Sequence, residues 1–287
     1  MPRTFKDHRG ALRDSHSSLL SDACADFGIQ LVGTGTVESC KVDACTEDGI
    51  EVETNDPAGS TVTVISKNTV TRCSNGILAD DGPFTVDKNT CEQNSGEGIA
   101  VNITLPEGKL PETGTTITKN KANNNLETGI IGAQPETVDP LVLFEKNTMD
   151  GNGSGCVLEG FSIDAKSNTI QNSVEDGLVV EASDCNLEKN EVKGNGRRGI
   201  EVEGDNNTLF DNTVIGNEVT DNEHDGIDNS GLNTIIGDNN SKNNGGADIA
   251  GAGQGGGTVS AAESIDNVMS DESDIVGFTT LGELDLD

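Results

Sequence analysis

The sequence predicts an all-β chain wound into a solenoid of about ten short coils. Three observations carry that expectation: a glycine–apolar signature that keeps returning, an asparagine signature in fixed phase with it, and a shortage of large side chains. The 287 residues include 36 Gly and only 7 Phe, with no Trp or Tyr. One round core is hard to fill from such residues, whereas a stack of thin layers needs only small and medium aliphatics.

The glycine signature reads FGIQLV, DGIEVE, NGILAD, EGIAVN, TGIIGA, SGCVLE, DGLVVE, RGIEVE and DGIDNS, at Gly28, Gly49, Gly76, Gly98, Gly129, Gly155, Gly177, Gly199 and Gly226. Successive spacings are 21, 27, 22, 31, 26, 22, 22 and 27, a unit near 22 with insertions. Eight or nine residues upstream stands Asn-Thr or Asn-Glu before an apolar residue, at Asn68, Asn89, Asn147, Asn168, Asn190 and Asn217. Each unit offers short β-rich runs broken by Gly, Asn and Asp, which tolerate turns with positive φ. None holds a 3.6-residue pattern long enough for a crossover helix. Strands joined only by turns must coil and stack, forming long parallel sheets along the axis. Asparagines in one phase then bond up and down the stack as polar ladders do.

Repeats such as DGLVVEASDCNLEKNEVKGNGR resemble those of the single-stranded right-handed parallel β-helix proteins of the pectate-lyase-like superfamily, over roughly residues 24–276. The resemblance implies the fold more firmly than any function. That superfamily hosts polysaccharide lyases, hydrolases and epimerases, and also phage tailspikes, adhesins and non-catalytic scaffolds. On this reading the β-helix spans 24–250. A basic arm (1–23), an anchor or disordered, precedes it, and a Gly-rich acidic segment (251–287) follows. Within that segment, residues 265–277 read as a degraded last coil that caps the stack.

The seven cysteines fit the same columns as small buried residues. Four residues before the repeat glycine, Asn94, Asn125, Asn195 and Asn222 share a column with Cys24 and Cys45, and Cys73 lies within one residue of it. Cys40 replaces an upstream asparagine, while Cys91 and Cys156 take inward positions. Adjacent coils about 4.8 Å apart also permit a Cys24–Cys45 disulfide. The odd count and the lack of CxxC pairs disfavour zinc.

Alternation after each glycine turns the second residue outward: Gln30, Glu51, Leu78, Ala100, Ile131, Val157, Val179, Glu201 and Asp228. The middle five form an apolar stripe, the expected binding or oligomer face, which an insertion or another subunit would cover. A register slip of one residue would bury it. Three insertions, at residues 53–60, 105–114 and 133–139, leave just after this strand, and such clustering marks either a binding side or tolerated surface loops.

A lyase or epimerase would need a base for the proton beside a sugar carboxylate and a cation to neutralise charge. The candidate catalytic residues are His224, Asp225 and Asp228 beside Glu223, with Arg197 and Arg198 one coil earlier; Asp225 also falls in a turn column with Asp48 and Asp176. Asp80 and Asp81 invite comparison with the paired carboxylates of inverting glycosidases. The companion GHG and RIK segments of polygalacturonases and the DPH segment of alginate epimerases are missing. Sugar sites commonly stack rings on aromatics, and Phe84, Phe144, Phe161 and Phe210 sit at scattered phases that suit the core. Carboxylate-rich turns suit calcium (Ca2+), although neither an EF-hand nor a nonapeptide repeat supports a specific site. The segment GNGRRG spells a G-x-G-x-x-G, yet Gly199 leads into a strand rather than a helix, so it is no dinucleotide loop.

The formal charge is −32, with 50 acidic against 18 basic residues. That argues against nucleic acid and anionic membranes as partners and suits a high-salt milieu. Residues 1–16 reverse the sign, with Arg3, Lys6, Arg9 and Arg13 against Asp7 and Asp14. The arm lacks an apolar core of the secretory kind, and no stretch is long enough to span a membrane. The expected role is a non-catalytic spike, fibre or adhesin component at a cell or virion surface. It would be docked by residues 1–23, self-associated as a homo-oligomer such as a trimer, and in contact with a glycan receptor. The alternative is a polysaccharide lyase or epimerase acting in the groove beside the insertions.

Overall fold

A computed structural model describes residues 4–7, 20–22, 24, 26–54, 61–103, 114–133, 142–217, 225–237, 239–246, 249–250 and 259–260. They form the expected stack. Each repeat glycine leads into a strand of a first sheet, which runs from Ile29–Val32 to Ile249–Ala250. A second sheet runs from Thr36–Glu38 to Val259–Ser260, and a third from Leu20–Asp22 to Asn240–Lys242. Each sheet has ten parallel strands, and the first gains an eleventh, Thr4–Asp7, paired antiparallel with Ile29–Val32. The edge of the first coil is thereby covered by hydrogen-bonded backbone instead of standing open.

Strands of three or four residues cannot bury much alone; the stack does it for them. Inward positions hold Ile, Val, Leu, Ala and Cys at nearly zero exposure, as in Ile77, Ile99, Ile130, Cys156 and Leu178 along the first sheet. Phe84 and Phe144 lie in this core, but Phe161 and Phe210 do not. Both are partly exposed, because their positions fall on outward steps of the pleat.

Corners between sheets are made by a residue in left-handed conformation followed by a buried polar one. Lys67, Lys88, Lys119, Lys146 and Lys189 take φ of 55–58° between the second and third sheets. The repeat glycines are not among the positive-φ residues. They are needed for space: a Cβ on Gly199 would stand 2.3 Å from Val214 Cγ1 and 2.5 Å from the Gly226 carbonyl.

Behind the lysine corner runs a ladder of Asn68, Asn89, Asn120, Asn147, Asn168, Asn190, Asn212 and Asn239, headed by Cys40 as expected. Each interior Oδ1 accepts the backbone N–H and one amide proton of the asparagine a coil below. Asn147, for example, receives Asn120 at 3.0 and 3.1 Å. The second amide proton goes to a backbone carbonyl, Ile117 for Asn147 at 2.8 Å. A buried amide thus keeps all its donors occupied, which makes its burial tolerable.

A second ladder climbs the corner before the first sheet: Cys45, Cys73, Asn94, Asn125, Asn152, Ser173, Asn195, Asn217 and Asn244. Cys73 belongs in this column and Asn217 is its member, so Asn217 is not in the upstream series; Asn212 holds that place. Asn222, assigned to the column from its distance to Gly226, lies outside the described residues. An extra stretch before Gly226 misled the counting. All seven cysteines are buried thiols outside any disulfide, Cys24 and Cys45 included. Burial drives the Cys185 thiol up to about 12 and Cys156 higher still, so these sulfurs behave as small hydrophobes.

At Ser173 the second ladder is interrupted, and the Ser173 hydroxyl has no partner. Replacing Ser173 by Asn should close the gap and raise stability by about 1 kcal/mol, read as a higher urea midpoint. Asn147→Ala should cost about 3 kcal/mol or more, since it strands the donors of Asn120 as well as the acceptor on Ile117. A midpoint unchanged by Asn147→Ala would show that the ladder contributes nothing.

Candidate functional site

The outward side of the first sheet gathers most of the residues singled out above. Its pleat keeps one register through nine coils, so Gln30, Glu51, Leu78, Ala100, Ile131, Val157, Val179, Glu201 and Asp228 are successive cross-strand partners. The stripe therefore faces outward, with Ala100 the most sheltered member at 6% exposure. Two more apolar side chains, Leu126 and Val174, stand 73% and 72% exposed on the corner beside it. Sequence reasoning passed over both. Their signal was an apolar residue in a turn that carries Ser or Gly in neighbouring coils.

The stripe is bordered by two polar rows. The residue before each glycine supplies Asp48, Asn75, Glu97, Thr128, Ser154, Asp176, Arg198 and Asp225. The carboxyl or amide here serves the next coil: Asp176 Oδ1 accepts the Arg198 N–H at 2.9 Å, and Asn75 Oδ1 accepts the Glu97 N–H at 3.0 Å. On the other border stand Glu53, Asp80, Asn102, Ala133 and Glu159. The three insertions that follow this border lie mostly outside the described residues.

At the upper end the structure brings the two arginines together with three acids, Asp176, Glu201 and Asp228. Arg198 Nε sits 2.9 Å from Asp228 Oδ2, and Arg198 Nη1 is 2.8 Å from Glu201 Oε1. Arg197 Nη1 lies 3.3 Å from Asp176 Oδ2. The two arginines of GNGRRG thus pair with neighbouring carboxylates and complete an ion-pair cluster. Even beside Arg198, Glu201 titrates above the usual carboxylate range, because burial outweighs the guanidinium. His224 and Glu223 lie outside the described residues. Asp225 sits on the turn row, its carbonyl accepting the Gly199 N–H at 3.2 Å.

Asp80 and Asp81 divide between two environments. Asp80 points outward from the sheet and accepts Asn102 Nδ2 at 2.9 Å. Asp81 turns the chain at φ 69°, with its carbonyl taken by the Thr54 hydroxyl. Burial raises the Asp80 carboxyl, and burial likewise raises Asp48, Glu51 and Glu97, with neighbouring carboxylates adding to each. The lower end of the face is therefore a carboxylate field without the arginines of the upper end. Among the described residues, no group of three or more His, Cys, Asp or Glu is arranged to hold a metal ion.

A raised carboxyl adds stability below its unfolded pKa, and that contribution is lost as pH rises through its folded pKa. Asp80→Asn should therefore stabilise the protein at neutral pH, with the gain shrinking as pH falls through the carboxylate range. Thermal melts across that range read it. A gain that persists undiminished in acid would exclude burial of the charge as the cause.

The fold has known relatives. The family model for the right handed beta helix region matches residues 58–215. Among solved structures, the A-module of mannuronan C-5 epimerase AlgE4 from Azotobacter vinelandii superposes with a TM-score of 0.58 at 15% identity, covering 77% of this chain and 63% of that one. The periplasmic alginate epimerase AlgG, as a mutant, gives 0.58 at 17% identity over 84% and 62%. The AlgE6 A-module of Azotobacter vinelandii gives 0.57 at 13% identity over 84% and 74%. This chain thus spans less than two thirds of the first two structures. A search of curated protein sequences finds no match. Stacked parallel sheets, asparagine ladders and the match over more than half its length agree: the chain belongs to the right-handed β-helix family.

Proposed function

We propose that this protein is a non-catalytic β-helix module of a cell-surface or virion assembly, working in a high-salt setting as a spike, fibre or adhesin component. The observation that carries this reading is the outward face of the first sheet. An apolar stripe crosses five coils there in unbroken register, and the arginines beside it are already committed to carboxylates at 2.8–3.3 Å. Such a face suits contact with a surface. Proton abstraction beside a sugar carboxylate needs a cation free to meet that carboxylate, and here Arg198 would have to leave both Glu201 and Asp228. The charge of −32 further opposes capture of an acidic glycan.

The second reading is a polysaccharide epimerase or lyase, favoured by the likeness of fold to alginate epimerases. It would place Asp228, Asp225 and His224 as proton-transfer groups and Arg198 as the neutraliser. Incubating the protein with polymannuronate and polygalacturonate separates the two. Proton NMR reads C-5 inversion, and ultraviolet absorbance reads the unsaturated product of elimination. Neither signal is expected from the non-catalytic module; turnover of either polymer would overturn it.

A further inference from the structure

Cysteine is concentrated at one end of the stack, and three of the thiols stand directly one above another. The third-sheet strands Leu20–Asp22, Lys41–Asp43 and Thr69–Thr71 pair in register, Asp22 with Asp43 and Asp43 with Thr71. Two residues further on, that register sets Cys24 below Cys45 and Cys45 below Cys73. The backbone agrees: the Thr46 N–H donates to the Cys24 carbonyl at 3.1 Å, and the Cys45 N–H donates to Cys73 Sγ at 3.4 Å. The Cys45 thiol has both other thiols for neighbours. Above Cys73 the same column is asparagine, except at Ser173. An asparagine would bond more strongly than a thiol at each of the three places, so the ladder supplies no reason for sulfur there. What stacked thiols add is covalent chemistry. Neighbouring coils about 4.8 Å apart fall inside the Cα separation of roughly 4.4–6.8 Å that a disulfide spans.

We propose that Cys24 and Cys45 form a reversible disulfide that staples the first coil to the second when the protein meets an oxidising milieu. Cys73 is the less available partner for Cys45. Its sulfur accepts the Cys45 N–H, its thiol donates to the Thr71 carbonyl at 3.4 Å, and its N–H is held by Asn94 Oδ1 at 3.0 Å. Cys24 belongs to the first coil, where an end of the stack frays. The oxidant is a small disulfide such as oxidised glutathione. The Cys24 thiolate attacks one sulfur of that molecule and expels one small thiolate. The Cys45 thiolate then attacks the Cys24 sulfur of the mixed disulfide and expels the second. The two protein thiols lose two protons and two electrons, and the small disulfide leaves as two thiols. Burial, with the Cys24 thiol adding to it, pushes the Cys45 thiol well up, so exchange is slow in the closed stack and runs through opening of the end coil.

The staple closes the loop that contains the strands Ile29–Val32 and Thr36–Glu38. A peeled first coil then has fewer conformations open to it, and the coil holds to the stack more firmly. The strand Thr4–Asp7, which pairs with Ile29–Val32, gains the same hold. The two redox states differ in how firmly that end is fastened: stapled where disulfides persist, as outside a cell, and loose among reducing thiols. This holds whether or not the outer face of the first sheet is catalytic.

Thiol counting on the wild-type chain tests the pairing. The folded protein is incubated with oxidised glutathione, quenched in acid, and alkylated in denaturant. The alkylated thiols should fall from seven to five, within a single chain, and dithiothreitol should restore all seven. Cys40→Ser should leave the bond intact, while Cys24→Ala and Cys45→Ala should each abolish it. Hydrogen exchange reads the staple itself. The first-coil amides of Gly28 and Ile29, which donate to Asp48 and Gly49, should exchange more slowly by about tenfold after oxidation, and that of Ile77 should not change. Seven thiols left after oxidation, a bond from Cys45 to Cys73, or a bond between two chains would each overturn the proposal. A Cys24–Cys45 bond that leaves first-coil exchange unaltered overturns it as well.

Discussion

Buried asparagine holds this architecture together. A solenoid of three-residue strands must turn a corner several times per coil, and each corner would leave backbone groups without partners. At two of these corners the ladders solve this in most coils with an amide whose oxygen takes two donors from below and whose nitrogen supplies two donors of its own. The cost is uniformity, since an amide aligned this way requires another of the same length above it. Cys40, Cys45 and Cys73 end the ladders at the start of the stack, where thiols fill the column and bond weakly. Ser173 shows the other consequence: a side chain too short to reach leaves its own hydroxyl unpaired.

Because corners and core are fixed by small residues, the outer surface is free to vary. It has been filled mostly with carboxylates, whose mutual repulsion is relieved by local ion pairs such as Lys67 with Glu38 and Arg72 with Asp43. Exposed pairs of this sort contribute little to stability. Their value here lies in the distribution of charge. The outward row of the first sheet is apolar at its centre and acidic at both ends, and the arginines stand at the upper end among Asp176, Glu201 and Asp228.

The same layout bears on chemistry. A β-helix groove supports catalysis when a base and a cation stand ready over a substrate carboxylate. In this protein Arg198 pairs with Glu201 and Asp228, and Asp176, in the row expected to turn the chain, accepts a backbone N–H. Likeness of fold at 13–17% identity carries the coil geometry and leaves the surface chemistry open.

The number of coils, the inward and outward sense of the first sheet and the asparagine columns are legible in the chain, because each follows from a period that side-chain alternation makes visible. So is the stripe from Leu78 to Val179. Counting failed where the period broke: Asn217 was put in the wrong column, since the segment before Gly226 is longer than the unit. Likewise Phe161 and Phe210 looked like core, because an aromatic carries no mark of which side of the pleat it takes. The folded stack shows that the repeat glycines exist for lack of room and not for turning. It alone decided that the lysines bear the left-handed corners, and that Arg198 is bound to an acid one coil away. Those facts depend on what lies in the next coil, 20 to 30 residues distant, and a linear chain does not display its neighbours along the stack.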